Sequence, residues 1–223
     1  SVLNAYENIA FVGTDAPEAG HLQGKMIGDY ILAHYDEIDL NKDGKISYAM
    51  MKGDEANVEA IYRTQYSVED ANAILTAAGK PELEYFDPNN SNKYQVDQGG
   101  QWSAAAATDY METNFVTYNE ANGNMIELVI CNNDGMALGA VAAIQAAGRI
   151  VGEDIYVLGV DALEEAVQLI KAGDMTGTVL NDHIGQSHKA VDVAVAALNG
   201  EEIDNYYWVD YVKVDKAYAE ANY

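Results

Sequence analysis

The chain has 223 residues, with 36 acidic side chains against 12 lysines and arginines, so its formal net charge at pH 7 is −24. This excess of acid argues against binding to nucleic acid, because the neutralisation of phosphates requires clustered Lys and Arg, and it argues equally against an anionic membrane surface. Hydrophobic residues make up 49% of the chain, which is enough for a sizeable core in one large domain or two small ones.

Short apolar runs alternate along the chain with longer stretches of helical periodicity. The predicted strands are 9–13, 46–51, 83–86, 127–131, 155–160 and 177–180. The predicted helices are 18–35, 58–78, 102–118, 134–147 (capped by Asp134), 163–172 (ended by Gly173) and 184–198. This alternation predicts an α/β fold, a parallel-sheet three-layer sandwich in which helices cover both faces of the sheet.

The strands at 9–12, 128–131 and 155–160 are nearly continuous apolar runs, so we predict that all three are buried on both sides. After residue 181 the alternation stops, and a helix at 184–198 and an extended aromatic run at 206–214 are left without obvious partners. These two segments indicate a second sub-domain that is mostly missing from this chain.

Polar residues follow the predicted strands, at the edge of the sheet where ligands bind in open parallel sheets. These junctions carry Asp or Asn and have no glycine-rich phosphate loop; they are 14–15, 52–54, 132–134, 161 and 181–182. The sequence therefore predicts a polar, cation-poor binding site and not a nucleotide site.

Residues 39–47 match the first nine positions of a calcium-binding loop. The ligands would be the side chains at loop positions 1, 3, 5 and 9 and the carbonyl oxygen at position 7, which belong to Asp39, Asn41, Asp43, Ser47 and Lys45 respectively. Position 12, where such loops carry a bidentate glutamate, is Met50, so the ion needs a carboxylate from elsewhere. The alternative interpretation is a solvated acidic loop.

Three residues near the junctions each have two interpretations. Trp102 is either an ordinary core residue or an aromatic platform for the apolar face of a sugar ring. The plain alternative for Arg63 is a surface ion pair, and for Asp161 it is the N-cap of the helix at 163–172.

Cys131 is the only cysteine, so an internal disulfide is excluded, and this residue is most simply a core residue. No nucleophile and base form a supported pair, so we predict that the protein is not an enzyme.

Eight short segments together match one known family. They are 11–15 (FVGTD), 23–24 (QG), 39–44 (DLNKDG), 52–53 (KG), 129–134 (VICNND), 136–140 (MALGA), 159–163 (GVDAL) and 177–182 (GTVLND). They resemble the bacterial glucose/galactose-binding proteins, the sugar receptors of ABC importers, which have the type I periplasmic-binding-protein fold. The resemblance runs from about residue 9 to residue 182 and resumes at 211–215.

The resemblance implies a domain organisation. Proteins of this family have two α/β lobes joined by three crossing segments, with the sugar between the lobes. Residues 1–182 would form the C-terminal lobe with the calcium loop, and the chain would enter this lobe near Ser1. Residues 183–208 would belong to the mostly missing N-terminal lobe, and residues 209–223 would return to the C-terminal lobe.

The resemblance also implies a set of contacts. The sugar would contact Asn57, Glu59, Arg63, Trp102, Asn133, Asp161 and Asn181. At the first two of these positions the family has His and Asp, which leaves the sugar preference open. The Ca²⁺ ion would be held by Asp39, Asn41, Asp43, the Lys45 carbonyl, Ser47 and, as the remote carboxylate, Glu127.

We therefore expect extracytoplasmic binding of a monosaccharide of the glucose/galactose type for delivery to a membrane ABC permease, with a structural calcium site. A chemoreceptor is a second candidate partner. The location would be the periplasm or, for a lipoprotein, the cell surface, with the export signal upstream of Ser1. No apolar run reaches the roughly 18 residues that a membrane helix needs, so we predict no membrane span.

Two other functions stay open on the sequence alone. The same fold serves as the effector-binding domain of sugar-responsive transcription regulators, which would require a basic helix-turn-helix upstream. A small calcium-dependent enzyme that uses Asp15 or Asp134 is the third hypothesis.

Overall fold

The structure, a computed structural model, describes residues 9–223, so the predicted crossing near Ser1 lies outside the described residues. The strands are β1 (Phe11–Gly13), β2 (Ser47–Lys52), β3 (Glu84–Tyr85), β4 (Gln95–Val96), β5 (Leu128–Cys131), β6 (Tyr156–Leu158), β7 (Thr178–Leu180), β8 (Tyr206–Trp208) and β9 (Val212–Val214). The helices are α1 (Ala16–Ile38), α2 (Val58–Ala77), α3 (Ala104–Thr117), α4 (Asp134–Ala146), α5 (Glu164–Ala172), α6 (His183–Leu198) and α7 (Lys216–Asn222), with a 3₁₀ turn at Glu120–Asn122.

The central sheet has the strand order β3-β2-β5-β6, and β4 also pairs with the end of β2. All of these pairs are parallel. Every residue of β5 and β6 is buried, including Cys131, and β2 is buried after its first residue. Strands that are buried along their whole length have both faces covered, so the predicted α/β three-layer arrangement with a parallel sheet is confirmed.

Three glycines on one face of α1 allow this helix to approach α2 closely. They are Gly20, Gly24 and Gly28, spaced four residues apart, and a Cβ atom at each would lie within 2.8 Å of atoms of α2. Residues at this spacing share one helix face, so the three glycines form a strip without side chains along the contact. Buried hydrophobic side chains of α1 and α2 belong to the same hydrophobic core as the strands of the central sheet.

The strand β7 continues the central sheet beyond β6. Isolated parallel bridges join Leu158 to Gly177 and Asp161 to Leu180. On its other side, β7 pairs antiparallel with β9, in the register Thr178 with Val214. The run at 206–214 is therefore two strands, β8 and β9, which pair with different parts of the molecule.

The first strand lies outside the central sheet, contrary to the prediction that it is buried on both sides. The strand β1 pairs in parallel with β8, so that Phe11 lies opposite Tyr206 and Gly13 opposite Trp208. Phe11 is 37% exposed and stacks edge-on against Trp208 at 5.5 Å between ring centroids. The aromatic run that had no obvious partner in the sequence thus finds one at the other end of the chain.

One helix start and one helix cap differ from the predictions. The helix α3 begins at Ala104 and not at Trp102, because Ser103 accepts a hydrogen bond from the Ala106 N–H at 3.2 Å. The cap of α4 is Asn133 and not Asp134, since the Asn133 Oδ1 atom accepts from the Met136 N–H at 2.9 Å. The predicted end of α5 at Gly173 is confirmed by its left-handed φ of 92°.

Within residues 9–223, every helix is too short or too polar to cross a bilayer.

Candidate functional site

Most of the predicted sugar contacts lie together at the carboxyl edge of the sheet. Asn133 follows β5 by one residue, Asp161 follows β6, and Asn181 comes directly after β7. Arg63 comes from the first turns of α2, the helix that follows β2, and reaches the segment after β5. The seven residues therefore come from five successive connections, as expected for ligand sites in open parallel sheets.

Arg63 is a buried cation at this edge and not part of a surface ion pair. It is only 2% exposed. Its Nη2 atom pairs with the Glu59 carboxylate one helical turn earlier, and its Nη1 atom donates to the Asn132 carbonyl oxygen at 2.9 Å. The same Nη1 atom lies 3.6 Å from Asp161 Oδ1. A guanidinium with five fixed donors can hold two carboxylates and a carbonyl in one plane, which makes it a rigid reference point for the site.

Asp161 presents a partly exposed carboxylate beside this guanidinium. Its side chain is 30% exposed, and it is hydrogen-bonded to Asn181. Burial raises the pKa of Asp161 to about 6, which the nearby Arg63 charge opposes only in part. Asp161 is not the cap of α5: the Leu163 N–H at the start of this helix donates instead to Asp134 Oδ2 at 2.8 Å. The Asp161 carboxylate is therefore left facing Arg63 and Asn181.

Trp102 stands on the same edge with its ring against the backbone of Gly53. A Cβ atom at Gly53 would lie 2.1 Å from Trp102 Cδ2, and the Arg63 Cζ atom lies 5.6 Å from the ring centroid. Trp102 is partly exposed, so the core-residue interpretation does not describe it fully. The loop before it is fixed by buried Asp97, which accepts hydrogen bonds from the N–H and Oγ–H of Ser103 at 3.0 and 2.8 Å.

The backbone is strained at two of these positions. Trp102 has φ 54°, Asp161 has φ 121°, and Ala162 has φ 55°, all in the region that favours glycine. Residues held in such conformations cost roughly 1–3 kcal/mol each, and they occur preferentially where a ligand requires a fixed geometry. The strain therefore coincides with the aromatic ring and the carboxylate that the sequence assigned to binding.

Two of the three asparagines among the predicted sugar contacts cap helices. Asn57 is the N-cap of α2, and its Oδ1 atom accepts from the N–H groups of Glu59 and Ala60 at 2.8 and 3.2 Å. Asn133 caps α4, and its Nδ2 atom lies 3.4 Å from the Trp102 carbonyl oxygen. Asn57 and Asn133 thus have their carbonyl oxygens engaged by helix ends and keep N–H donors for a ligand.

Two residues have roles at this edge that the sequence did not predict. Asn132 is fully buried and joins β2, α2 and β5 through its side chain and carbonyl. Asp134 is also fully buried, and its Oδ1 atom accepts from the Thr178 hydroxyl at 2.6 Å. Burial raises the pKa of Asp134 to about 7. Both lie in the polar junction at 132–134, where the sequence predicted Asp134 only as a helix cap and a candidate enzymatic carboxylate and assigned Asn132 no role of its own.

The predicted calcium loop meets the predicted remote carboxylate. Glu127 is buried, and its Oε1 and Oε2 atoms accept from the N–H groups of Leu40 and Ser47 at 2.8 and 2.9 Å, at the two ends of the loop. Asp39 accepts from the Asp43 and Gly44 N–H groups at 3.1 and 3.0 Å, which closes the turn. Burial raises the pKa of Glu127 to about 7.

The donor chemistry of this loop fits a hard cation, because all of the predicted ligands are oxygen atoms of one loop and one neighbouring carboxylate. In the part of the chain that the structure describes, no group of three or more His, Cys, Asp or Glu side chains is arranged to hold a metal ion. The Asp39 and Asp43 oxygens instead accept hydrogen bonds from the loop's own N–H groups. The calcium site stays a prediction.

Comparison with known proteins identifies relatives over nearly the whole chain. The family described as "Periplasmic binding protein domain" matches residues 1–202. The D-galactose/methyl-galactoside binding periplasmic protein of Haemophilus influenzae is 36% identical in an alignment of 223 positions. This alignment covers 96% of this chain and 61% of that protein. A putative rhizopine-binding protein of Rhizobium meliloti is 27% identical over 211 residues, or 95% of this chain and 59% of that protein.

Solved structures agree in fold. A periplasmic solute binding protein of an ABC transporter from Actinobacillus succinogenes, with bound D-allose, superposes with a TM-score of 0.74 at 23% identity and covers 98% of this chain and 66% of its own. One from Bacillus halodurans, with bound myo-inositol, gives a TM-score of 0.70 at 26% identity, with coverages of 95% and 62%. The chain thus spans about three fifths of the two sequence relatives, 61% and 59%. These relatives are all described as binding proteins, in agreement with the prediction of a non-enzymatic protein.

Proposed function

The chain belongs to the periplasmic binding protein domain family, and we propose that the protein binds a monosaccharide of the glucose/galactose type outside the cytoplasm and delivers it to an ABC importer. The sugar would lie against the carboxyl edge of the sheet, and the opposite wall of the cleft would come from a second lobe. Closure of the two lobes by a hinge would produce the form that docks on the membrane permease.

One observation carries this proposal: a charged pair and an aromatic ring converge at one edge. The Asp161 carboxylate and the Arg63 guanidinium lie 3.6 Å apart, and the Trp102 ring stands beside the same guanidinium at 5.6 Å. Adjacent hydroxyls of a sugar ring hydrogen-bond to such charged groups in pairs, while an indole covers the apolar face of the ring. Aliphatic or purely ionic ligands would use only part of this arrangement.

The described ligands of the relatives agree with a polyhydroxylated substrate. The names and descriptions given for these proteins include galactosides, allose and myo-inositol. The particular sugar is open in this chain, because Asn57 and Glu59 differ from the family pattern. Since the Asn57 oxygen caps α2 and Glu59 pairs with Arg63, we expect these two residues to shape preference among sugars and not the basic ability to bind them.

The proposed division into lobes has support in the exposed apolar surface. The helix α6 and the strand β8 fall in the segment at 183–208 assigned to the N-terminal lobe. Leu198 on α6 is 87% exposed and Trp208 on β8 is 51% exposed. Exposed large apolar side chains of this kind are typical of a face that another part of the protein covers.

The calcium ion would have a structural role. Glu127 and the 39–47 loop lie beside the amino ends of β2 and β5, away from the edge that carries Arg63 and Asp161. A closed oxygen cage at this place stabilises the loop and leaves no open position for a substrate.

The effector-binding domain of a transcription regulator is the second candidate, because it uses the same fold. The net charge of −24 opposes approach to an operator. The gene sequence upstream of the codon for Ser1 decides between these two functions: a secretory or lipoprotein leader supports the transport protein, whereas a basic helix-turn-helix supports the regulator.

The enzyme hypothesis is not favoured, since Asp134 is fully buried and its carboxylate is engaged by the Thr178 hydroxyl and the Leu163 N–H.

The binding site is tested by replacing its carboxylate in the protein encoded by the complete gene. We expect Asp161→Ala to weaken sugar affinity by at least about tenfold, because the buried Arg63 then loses an ionic partner and the sugar loses an acceptor. Asp174→Asn is the matched control, since this partly exposed aspartate precedes β7 at the opposite edge of the sheet. An unchanged affinity in Asp161→Ala would show that the proposed cleft is wrong.

A further inference from the structure

We infer that Asn132 is a positioning residue that fixes the aromatic platform and the guanidinium of the binding site relative to each other. The inference rests on the proposed function, because it concerns the same site, but it assigns a role to a residue that the sugar does not reach. Asn132 is fully buried and follows directly after β5.

The side chain of Asn132 joins two elements that carry binding residues. Its Oδ1 atom accepts a hydrogen bond from the Gly53 N–H at 3.1 Å, at the end of β2. Its Nδ2 atom donates to the Thr64 hydroxyl at 3.1 Å, on α2. A buried carboxamide without partners would cost several kcal/mol, so these hydrogen bonds fix the rotamer and with it the distance between β2 and α2.

The backbone of Asn132 is engaged as well. Its N–H donates to the Met51 carbonyl oxygen at 3.0 Å, which continues the pairing of β5 with β2. Its own carbonyl oxygen accepts from Arg63 Nη1 at 2.9 Å. One residue therefore sets the position of the guanidinium directly through its backbone and holds the neighbouring Thr64 through its side chain.

Gly53 transmits the position of Asn132 to the aromatic ring. A Cβ atom on Gly53 would lie 2.1 Å from Trp102 Cδ2 and 2.3 Å from Trp102 Cε3, so the indole rests directly on the glycine backbone. Any shift of the Gly53 backbone therefore moves the surface on which the ring lies. The chain of contacts runs from Arg63 through Asn132 and Gly53 to Trp102, with each step at hydrogen-bond or van der Waals distance.

The first test reads the position of Trp102 without any sugar. The chain has two tryptophans, so a Trp208→Phe background leaves Trp102 as the only tryptophan, whose emission is excited selectively over that of the tyrosines. In that background we compare Asn132→Ser with Asn114→Ser. Asn114 is a matched control because it is also a buried asparagine, and its side chain exchanges hydrogen bonds with Gln95 at 2.8 and 3.0 Å, away from Arg63.

We expect Asn132→Ser to raise the acrylamide quenching constant of Trp102 by about twofold, since the ring loses its fixed support, while Asn114→Ser leaves it unchanged at a comparable loss of melting temperature. Gly53→Ala is the second variant, because it displaces the ring without removing a buried amide. Equal quenching constants in both asparagine variants and in Gly53→Ala would overturn the inference.

The second test reads affinity for D-galactose and D-glucose in the complete protein. We expect Asn132→Ser and Gly53→Ala to weaken binding at least about tenfold more than Asn114→Ser. Equal losses of affinity in Asn132→Ser and Asn114→Ser would contradict a positioning role. If the unsubstituted protein binds neither sugar, the proposed function fails, and the quenching comparison alone still decides whether Asn132 positions Trp102.

Discussion

The Nη1 atom of Arg63 lies 3.6 Å from the Oδ1 atom of Asp161 at the carboxyl edge of the central sheet. This pair connects α2 to the segment after β6. The guanidinium of Arg63 is buried, whereas the carboxylate of Asp161 is partly exposed to solvent. Because burial raises the pKa of Asp161 to about 6, this carboxylate changes charge close to pH 6.

The first prediction follows from this titration. Below about pH 6 Asp161 is protonated and loses the charge with which it accepts hydrogen bonds, so sugar affinity should fall as the pH is lowered from 7.5 to 5. Isothermal titration calorimetry over this range measures the effect. Glu59 also faces Arg63, so Asp161→Asn is the control: we expect it to bind weakly at both pH values, with most of the pH dependence removed. A steep pH dependence that persists in Asp161→Asn would assign the titration to another group.

The second prediction concerns stability and Asp134. Burial raises the pKa of Asp134 to about 7, above its usual value, so the folded protein holds this proton more tightly than the unfolded chain. The resulting stabilisation is present at low pH and is lost as the pH rises from about 4 to about 7, by an amount on the order of 2–4 kcal/mol. Asp134→Asn should therefore raise the free energy of unfolding at pH 8 and leave it nearly unchanged at pH 4.

Chemical denaturation at the two pH values measures the effect of Asp134→Asn. Asp97→Asn is the matched control, because hydrogen bonds from Ser103 hold the pKa of buried Asp97 below its usual value. For Asp97 the sign reverses, and the stabilisation is lost only as the pH falls below the usual pKa of 3.8, so its substitution should cost nearly the same stability at pH 8 and at pH 4. Equal destabilisation by Asp134→Asn at both pH values would show that Asp134 is ionised without penalty.

The third prediction separates the structural use of Asn57 from its use in binding. Asn57 Oδ1 caps α2, so Asn57→Ala should lower the free energy of unfolding by about 1 kcal/mol. Asn57→Asp keeps the capping oxygen and should retain this stability while it removes the side-chain N–H donor. A thermal melt and a sugar titration of both variants give the comparison. Equal destabilisation by the two substitutions would contradict the capping role.

The fourth prediction concerns calcium. If the loop at 39–47 and Glu127 hold Ca²⁺, the ion stabilises the folded state by about 2.7 kcal/mol at a concentration one hundred times its dissociation constant. A chelator should then lower the melting temperature by roughly 5–10 °C for a chain of this size. The same chelator should have no effect on Glu127→Gln, which lacks the remote carboxylate. Identical melting curves with and without sub-millimolar calcium would contradict the predicted calcium site.

The alternation of strands and helices could be predicted from the sequence, because it depends on local periodicity. Helix bounds were accurate to a few residues where a cap or a glycine marks the end, as Gly173 does for α5. The pairing of β1 with β8 could not be predicted, since Phe11 and Tyr206 lie at opposite ends of the chain and no local pattern encodes their register.

The candidate site was predictable to a similar degree. Junction polarity and family resemblance identified Arg63, Trp102 and Asp161, but not how these residues are held. The plain alternative for Asp161, the N-cap of α5, rested on proximity in sequence, whereas the Leu163 N–H bonds to Asp134, which comes from the neighbouring strand connection. The role of Asn132 depends on contacts with Gly53 and Thr64, which only the folded chain brings together.

A titration of D-glucose and then D-galactose, with calcium present and read through tryptophan fluorescence, tests the central claim most directly. It is made on the protein encoded by the complete gene, with Trp208→Phe so that Trp102 reports alone. We expect a saturable change in emission with at least one of the two sugars, and the loss of this change in Asp161→Ala. A flat response to both sugars, with a protein that melts cooperatively, would contradict the assignment of this edge as a monosaccharide site.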